Sequence, residues 1–170
     1  VDVQATLTTA YQQLQTYKNQ ISDLFHYNEV LIISDGTRAA AGTITSKRER
    51  FMPWKTIDGE EIIDKGNQMP VLIKGMFERS RFLDIVKHFI VFEKEDGISK
   101  KLAAYHQYKA ANKALTSTLK HEKPEGDGRA GVIWHTQGSG KSLTMVFYSG
   151  KLILEHNNPT IVVLTDRNDL

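Results

Sequence analysis

The sequence is organised around the stretch Gly131-Val-Ile-Trp-His-Thr-Gln-Gly-Ser-Gly-Lys-Ser-Leu-Thr-Met145. It contains an apolar run, a loop with two glycines, the pair Lys141-Ser142, and a segment with a helical pattern. Strand, glycine-bearing loop and helix in this order are typical of a phosphate-binding loop. The glycines let the backbone present N–H groups to phosphate oxygens, and the helix adds the positive end of its dipole. We therefore predict a nucleotide site here.

The predicted phosphate loop covers residues 136–142. The Lys141 ammonium is expected to reach the β- and γ-phosphates of ATP, and the Ser142 hydroxyl to hold Mg²⁺. The predicted nucleotide-binding residues of the loop are Thr136, Gln137, Gly138, Ser139, Gly140, Lys141 and Ser142. His135 stands where the pattern G-x-x-x-x-G-K-[ST] has its first glycine, which disfavours a small kinase or GTPase more than a motor ATPase. The alternative is a chance Gly-Ser-Gly turn after a strand.

Composition sets wide bounds on the class of protein. The 170 residues have room for one domain or parts of two, and 40% hydrophobic residues allow a buried core. A formal net charge of +2 is too small to indicate nucleic-acid binding by itself. The chain has no cysteine, no signal peptide and no apolar run of membrane-spanning length, so we expect a cytoplasmic protein without a membrane partner. Because it starts at Val1 and ends just after a predicted strand, we expect a segment of something longer.

The first half of the chain reads as mixed helix and strand. Apolar residues at helical spacing predict a helix over residues 5–21, on which Gln13 and Tyr17 share one face. The alternative for this helix is a simple amphipathic element with a half-buried tyrosine. A hairpin is predicted from residues 31–33 and 37–45. The basic cluster at residues 47–50 is able to contact phosphates, although a solvated loop anchored by the following aromatics is the commoner case.

The remaining elements lead to the phosphate loop. Helices are predicted from Pro70, over residues 79–88, over 100–119 and over 143–155, with a short strand at 90–92. The charged residues 93–99 are predicted to be the domain junction. The β-branched run at 160–165 is predicted as a strand covered on both faces, which would complete a βαβ unit of a parallel sheet. The predicted loop at residues 166–170 would follow it.

Beyond these patterns, several sequence motifs resemble those of one family. The phosphate loop and Ile161-Val-Val-Leu-Thr-Asp-Arg-Asn-Asp-Leu170 are similar to motifs I and Ia of superfamily 2 helicase-like translocases, in the form found in the R subunits of type I restriction-modification enzymes. Tyr105-His-Gln107 resembles the segment in which that family's glutamine contacts adenine, which would make Gln107 a nucleotide-binding residue. Gln13-Leu-Gln-Thr-Tyr17 resembles the Gln-x-x-x-Tyr element of RecB-like nuclease domains.

The resemblance implies an α/β fold in two parts. Residues 1–92 would be the C-terminal part of a RecB-like nuclease domain and connector, and residues 93–170 the start of a RecA-like parallel-sheet motor domain with its P-loop. Lys141, Gln13 and Tyr17 would be the residues of the catalytic machinery. The implied cofactors are ATP and Mg²⁺. The implied partners are double-stranded DNA and the methyltransferase and specificity subunits of the restriction complex.

The same resemblance places the metal-binding carboxylates of the nuclease before Val1 and the acidic ATPase motif after Leu170. The segment by itself is therefore expected to be inactive. Two alternatives remain open at this point: a stand-alone P-loop phosphotransferase, and a non-catalytic module that binds nucleotide only to hold its fold.

Overall fold

The computed structural model describes residues 6–94 and 97–165 of the chain. The chain divides into two compact units after Tyr105. Helices and antiparallel strands both occur, so the predicted mixed α/β character is confirmed. Within the described residues, no helix combines the length and the apolar character needed to cross a membrane.

The first helix, α1, covers Leu7–Gln20 and begins at a capping box. The Thr6 hydroxyl accepts a hydrogen bond from the backbone N–H of Thr9, and the Thr9 hydroxyl accepts one from the N–H of Thr6. Reciprocal caps of this kind satisfy donors that the start of a helix leaves without partners. The predicted first helix is thereby confirmed.

One hydrophobic cluster of the first unit lies between α1 and an antiparallel hairpin. Strand β1 (Leu31–Ser34) pairs with β2 (Ala39–Gly42), as the sequence predicts. Side chains three and four positions apart on α1 share the face that packs against this hairpin. The cluster consists of Phe25, Leu31, Ile33, Ala40 and Phe51, with Leu7, Ala10, Tyr11, Leu14 and Ile44 packed against it.

The basic cluster forms a short 3₁₀ helix, Arg48–Arg50, in front of two buried aromatic residues. Phe51 and Trp54 are almost fully buried, so they anchor this segment as predicted. Two further helices follow, α2 (Gln68–Met76) and α3 (Arg79–His88), which confirms both predicted helical regions.

The domain junction predicted at residues 93–99 overlaps two paired strands. Strand β3 (Ile90–Lys94) pairs antiparallel with β4 (Ile98–Leu102), so the boundary after residue 92 falls inside a hairpin of the first unit. Gly97, with a φ of 138°, lies directly before β4. For the same reason the predicted helix does not begin at Lys100: β4 occupies this segment and helix α4 starts at Tyr105.

The second unit is built on two helices, α4 (Tyr105–His121) and α5 (Lys141–Glu155). Ala111, Leu115, Phe147 and Leu152 are buried on them. Polar contacts join the helices: the Lys151 ammonium donates to the Asn112 side-chain oxygen at 2.7 Å, and the Thr118 and Tyr148 hydroxyls lie 2.7 Å apart. Helix α5 ends where predicted, before Pro159.

The parallel sheet predicted around the phosphate loop is not formed in the described residues. Neither the run before the loop nor residues 160–165 is a strand, and their side chains are exposed, including Val132, Trp134, Val162 and Leu164. A parallel strand needs a hydrogen-bonded neighbour and a covering layer, and β-branched composition supplies neither. The loop predicted at residues 166–170 lies outside the described residues.

Candidate functional site

The phosphate loop lies between α4 and α5 in the sequence, and two glycines shape it. Gly138 and Gly140 have φ values of 76° and 77°, a backbone conformation that side chains with a Cβ rarely adopt. A Cβ on Gly140 would lie 2.7 Å from the side-chain nitrogen Nε2 of Gln107, whereas a Cβ on Gly138 would meet open space. The sequence prediction that these positions need glycine is therefore supported by the backbone.

Helix α5 begins at Lys141, directly after the loop. The first N–H groups of a helix have no carbonyl partner within it, and together with the helix dipole they favour an anion. The Lys141 ammonium donates to the backbone carbonyls of His135 and Thr136, both at 3.1 Å. The lysine thus spans the loop from its last residues to its first. Its charge stays exposed to a ligand.

The other loop residues are placed less uniformly. Thr136, Gln137 and Ser142 are exposed, and Ser142 lies in the first turn of α5. The Ser139 hydroxyl oxygen and the His135 nitrogen Nδ1 are buried and have no hydrogen-bond partner among the residues that the structure describes. Buried polar atoms of this kind are destabilising until a partner is supplied.

Helix α4 contacts the loop through two consecutive residues. His106 Nε2 lies 3.1 Å from the Ser139 carbonyl oxygen, and Gln107 Nε2 donates to the Gly140 carbonyl oxygen at 3.0 Å. Gln107 is only 1% exposed. The predicted nucleotide-binding glutamine is therefore brought to the loop itself, and its adenine contact stays a prediction.

The contacts of His106 and Thr144 with the phosphate loop were not predicted from the sequence. There, His106 was noted only as the residue before Gln107 in the segment that resembles the family. Thr144, which is buried, donates its hydroxyl hydrogen to the Gly140 carbonyl at 3.2 Å. Its position one helical turn after Gly140 was a usable signal, since a threonine hydroxyl often bonds the carbonyl four residues earlier.

The electrostatics of the loop favour anions. The His135 ring lies edge-on to the His106 ring, with centroids 5.4 Å apart and an interplanar angle of 79°. Burial, followed by the charges of His106 and Lys141, lowers the pKa of His135. A polyphosphate bound here would offset the positive charge that, together with burial, disfavours the protonated form of His135.

The residues present fit a nucleoside triphosphate with its metal. The backbone donors at the start of α5, the Lys141 ammonium and the orphaned Ser139 hydroxyl would hold the phosphates, and the exposed Ser142 hydroxyl would hold Mg²⁺. Among the described residues there is no group of three or more His, Asp or Glu side chains able to hold a metal ion without a phosphate ligand.

Gln13 and Tyr17 lie in the first unit, on the exposed side of α1. Gln13 Nε2 donates to the Tyr17 hydroxyl oxygen at 2.7 Å, and Tyr17 is 42% exposed. The predicted shared face is confirmed, and the exposure of Tyr17 also agrees with the alternative of an amphipathic helix with a half-buried tyrosine. The two side chains present one joined polar surface.

Comparison with known families matches both parts of the chain. Residues 106–170 match the family model of the SWI2/SNF2 ATPase, and residues 2–50 match that of the type I restriction enzyme R protein N terminus. The first of these matches begins where the second compact unit begins.

Individual relatives match nearly the whole chain. It is 45% identical to the type I restriction enzyme HindI endonuclease subunit of Haemophilus influenzae, over 98% of the chain and 16% of that protein. It is 32% identical to the putative type I restriction enzyme MjaIXP endonuclease subunit of Methanocaldococcus jannaschii, over 97% of the chain and 18% of that protein. The chain thus spans about one sixth of the length of these relatives. On both matches together, the chain belongs to the family of type I restriction enzyme endonuclease (R) subunits.

Proposed function

We propose that this chain is the segment of a type I restriction enzyme R subunit in which a RecB-like nuclease domain continues into a RecA-like, ATP-driven motor. The observation that carries the proposal is the phosphate loop, with Lys141 as the first residue of a helix and two glycines at positive φ. The match of residues 106–170 to an ATPase family favours a motor over a stand-alone phosphotransferase.

In this proposal the second unit binds ATP through its phosphates. The Lys141 ammonium exchanges the carbonyls of His135 and Thr136 for phosphate oxygens, which are stronger acceptors because they are charged. Mg²⁺, when bound, neutralises charge on the β- and γ-phosphates, and Ser142 is the residue placed to hold it. Gln107 is proposed to recognise adenine. The amide nitrogen of Gln107 carries two N–H groups, so one can keep the bond to Gly140 while the other and the amide oxygen meet the base.

The activity of the complete subunit is proposed from the family. ATP hydrolysis would move duplex DNA along the motor, and the nuclease would cut it in the cytoplasm, in complex with methyltransferase and specificity subunits. In the first unit, Gln13 and Tyr17 would position DNA or a metal-binding carboxylate. A neutral amide and a phenol are weak Mg²⁺ ligands, so we assign them a supporting role and no metal contact.

The test of the nucleotide site uses the 170-residue chain and Mg-ATP, with binding followed by isothermal titration calorimetry. Lys141→Ala is expected to weaken binding roughly tenfold to a hundredfold, since hydrogen bonds to charged groups contribute about 1.5–3 kcal/mol. Lys120→Ala is the matched control, because it removes the same charge from an exposed site on α4. Equal affinities of wild type and Lys141→Ala would contradict the phosphate-loop assignment.

Hydrolysis is tested separately, in a complete R subunit that carries this segment. DNA-stimulated ATP turnover that is lost in Lys141→Ala, and kept in Lys120→Ala, is expected of a motor. Tight Mg-ATP binding without any turnover in the complete subunit would instead identify a non-catalytic nucleotide module.

A further inference from the structure

His106 contacts the phosphate loop in a way that neither the family matches nor the proposed function assigns. The Ser139 atom 3.1 Å from its Nε2 is a carbonyl oxygen, which only accepts hydrogen bonds. The proton must therefore be on Nε2, so the tautomer of His106 in this contact is fixed by its partner. Within the described ranges, His106 is the only residue that donates to Ser139 O.

The neighbouring carbonyl is held much more firmly. Gly140 O accepts hydrogen bonds from Gln107 Nε2, from the backbone N–H of Thr144 at 3.0 Å and from the Thr144 hydroxyl at 3.2 Å. Removing one of these donors leaves the other two in place. The carbonyl of the peptide between Ser139 and Gly140 has no second donor among the described residues, so the orientation of this peptide depends on His106.

The orientation of this peptide decides where its N–H points. In a trans peptide the C=O and the following N–H point in opposite directions across one plane. When His106 draws Ser139 O toward α4, the N–H of Gly140 is directed away from α4. Likewise, the bonds to Gly140 O direct the N–H of Lys141 away from those donors. Two successive N–H groups held in this way form a concave site for an anion.

We propose that His106 is a positioning residue of the nucleotide site, which aims the Gly140 N–H at a phosphate oxygen by holding the Ser139 carbonyl. The inference rests on the proposed nucleotide-binding function and adds the residue that orients the loop. His106 touches no phosphate itself. Its effect therefore falls on polyphosphate binding as such and is independent of the base.

The experiment measures binding of two probes to the 170-residue chain: Mg-ATP and Mg-tripolyphosphate, which has no base. His106→Ala is expected to weaken both by the same factor, about threefold to tenfold, the loss of one ordinary hydrogen bond. His106→Phe keeps an aromatic ring without the donor and should behave like His106→Ala. His106→Gln restores an N–H donor and should recover part of the affinity.

A matched control variant, His156→Ala, distinguishes the proposed positioning role of His106 from a general contribution to stability. His156 forms a 3.0 Å contact with Glu122 between the ends of α5 and α4, remote in sequence from the loop. His156→Ala should lower the melting temperature to a degree comparable with His106→Ala while leaving both affinities unchanged. If His106→Ala bound both probes like wild type, or if His156→Ala weakened them equally, the positioning role would be overturned.

The same titrations separate this inference from the proposed function. Loss of binding in Lys141→Ala with unchanged binding in all His106 variants overturns only the role of His106. Unchanged binding in Lys141→Ala overturns the nucleotide site itself. A loss confined to Mg-ATP, with Mg-tripolyphosphate unaffected, would also overturn the role proposed for His106, because it would place that residue at the base.

Discussion

Gln107 Nε2 donates to the carbonyl oxygen of Gly140 at 3.0 Å, and the same nitrogen occupies the space that a Cβ on Gly140 would need. One side chain therefore stabilises the loop and also fills the space beside Gly140, whose positive φ already favours glycine. The relationship crosses 33 residues of sequence. Gly138, at nearly the same φ, has no such neighbour and serves as a control for Gly140.

Gly140→Ala is expected to lower the free energy of unfolding by about 2–3 kcal/mol. About 1 kcal/mol comes from placing alanine at positive φ, and the rest from displacing the buried amide of Gln107. Gly138→Ala has the same φ cost without the contact, so its loss should stay near 1 kcal/mol. Urea denaturation of both variants measures the difference. Equal losses would contradict the proposed clash with Gln107.

Gln107→Ala is expected to act on nucleotide binding in two ways. Loss of the bond to Gly140 weakens Mg-ATP and Mg-GTP alike, and loss of the proposed adenine contact weakens Mg-ATP further. The preference for ATP over GTP should therefore narrow, by up to about tenfold. Competition titrations with both nucleotides provide the measurement. An unchanged ratio with two equal losses would restrict Gln107 to the loop and exclude the adenine contact.

Acidification is expected to destabilise the second unit through His135. Its pKa is lowered in the folded chain, chiefly by burial, so below the usual histidine value of about 6.5 the unfolded chain binds the proton more readily. Stability is fully present above that value and is lost as the pH falls from it toward the lowered pKa. His135→Gln should flatten this dependence. Thermal melts between about pH 5 and 8 compare the two proteins, and parallel curves would contradict the assignment to His135.

Gln13→Ala and Tyr17→Ala are expected to depress DNA cleavage by a complete R subunit while DNA-stimulated ATP hydrolysis continues. The two side chains form one exposed polar surface on α1, in the unit without the phosphate loop. Gln12→Ala is a matched control, since Gln12 is exposed on the same helix at a different angle. Both activities are measured on one preparation. Parallel loss of ATPase activity, or full cleavage, would reduce this helix to a packing element.

Elements with local signals were predicted well. Helix α3, helix α5 and the first hairpin depend on periodicity, caps and turns within a few residues, and the structure has them where expected. The helix predicted over residues 100–102 is wrong because lysine-rich composition favours a helix in isolation, whereas pairing with β3 makes this segment a strand. Residues 160–165 failed for the related reason that strand propensity does not provide a partner strand.

In the candidate site, too, residues that are contiguous in sequence were predicted and contacts between distant segments were not. The glycines, Lys141 and Ser142 are recognisable because the phosphate loop is contiguous in sequence. The contacts of His106 and Gln107 with the loop are made across 33 residues, and no spacing rule connects them. These contacts become apparent only when α4 is packed beside the loop in the structure.

The two carbonyl oxygens that accept hydrogen bonds from Lys141 compete with any bound anion for its ammonium group. An anion has to displace two neutral acceptors, those of His135 and Thr136, before it gains the ammonium. Singly charged anions such as acetate or chloride gain little in this exchange, whereas a polyphosphate replaces both acceptors with charged oxygens at once. In the proposed nucleotide site, the resting contacts of the lysine would therefore favour ligands of high negative charge, such as triphosphates, over small singly charged anions.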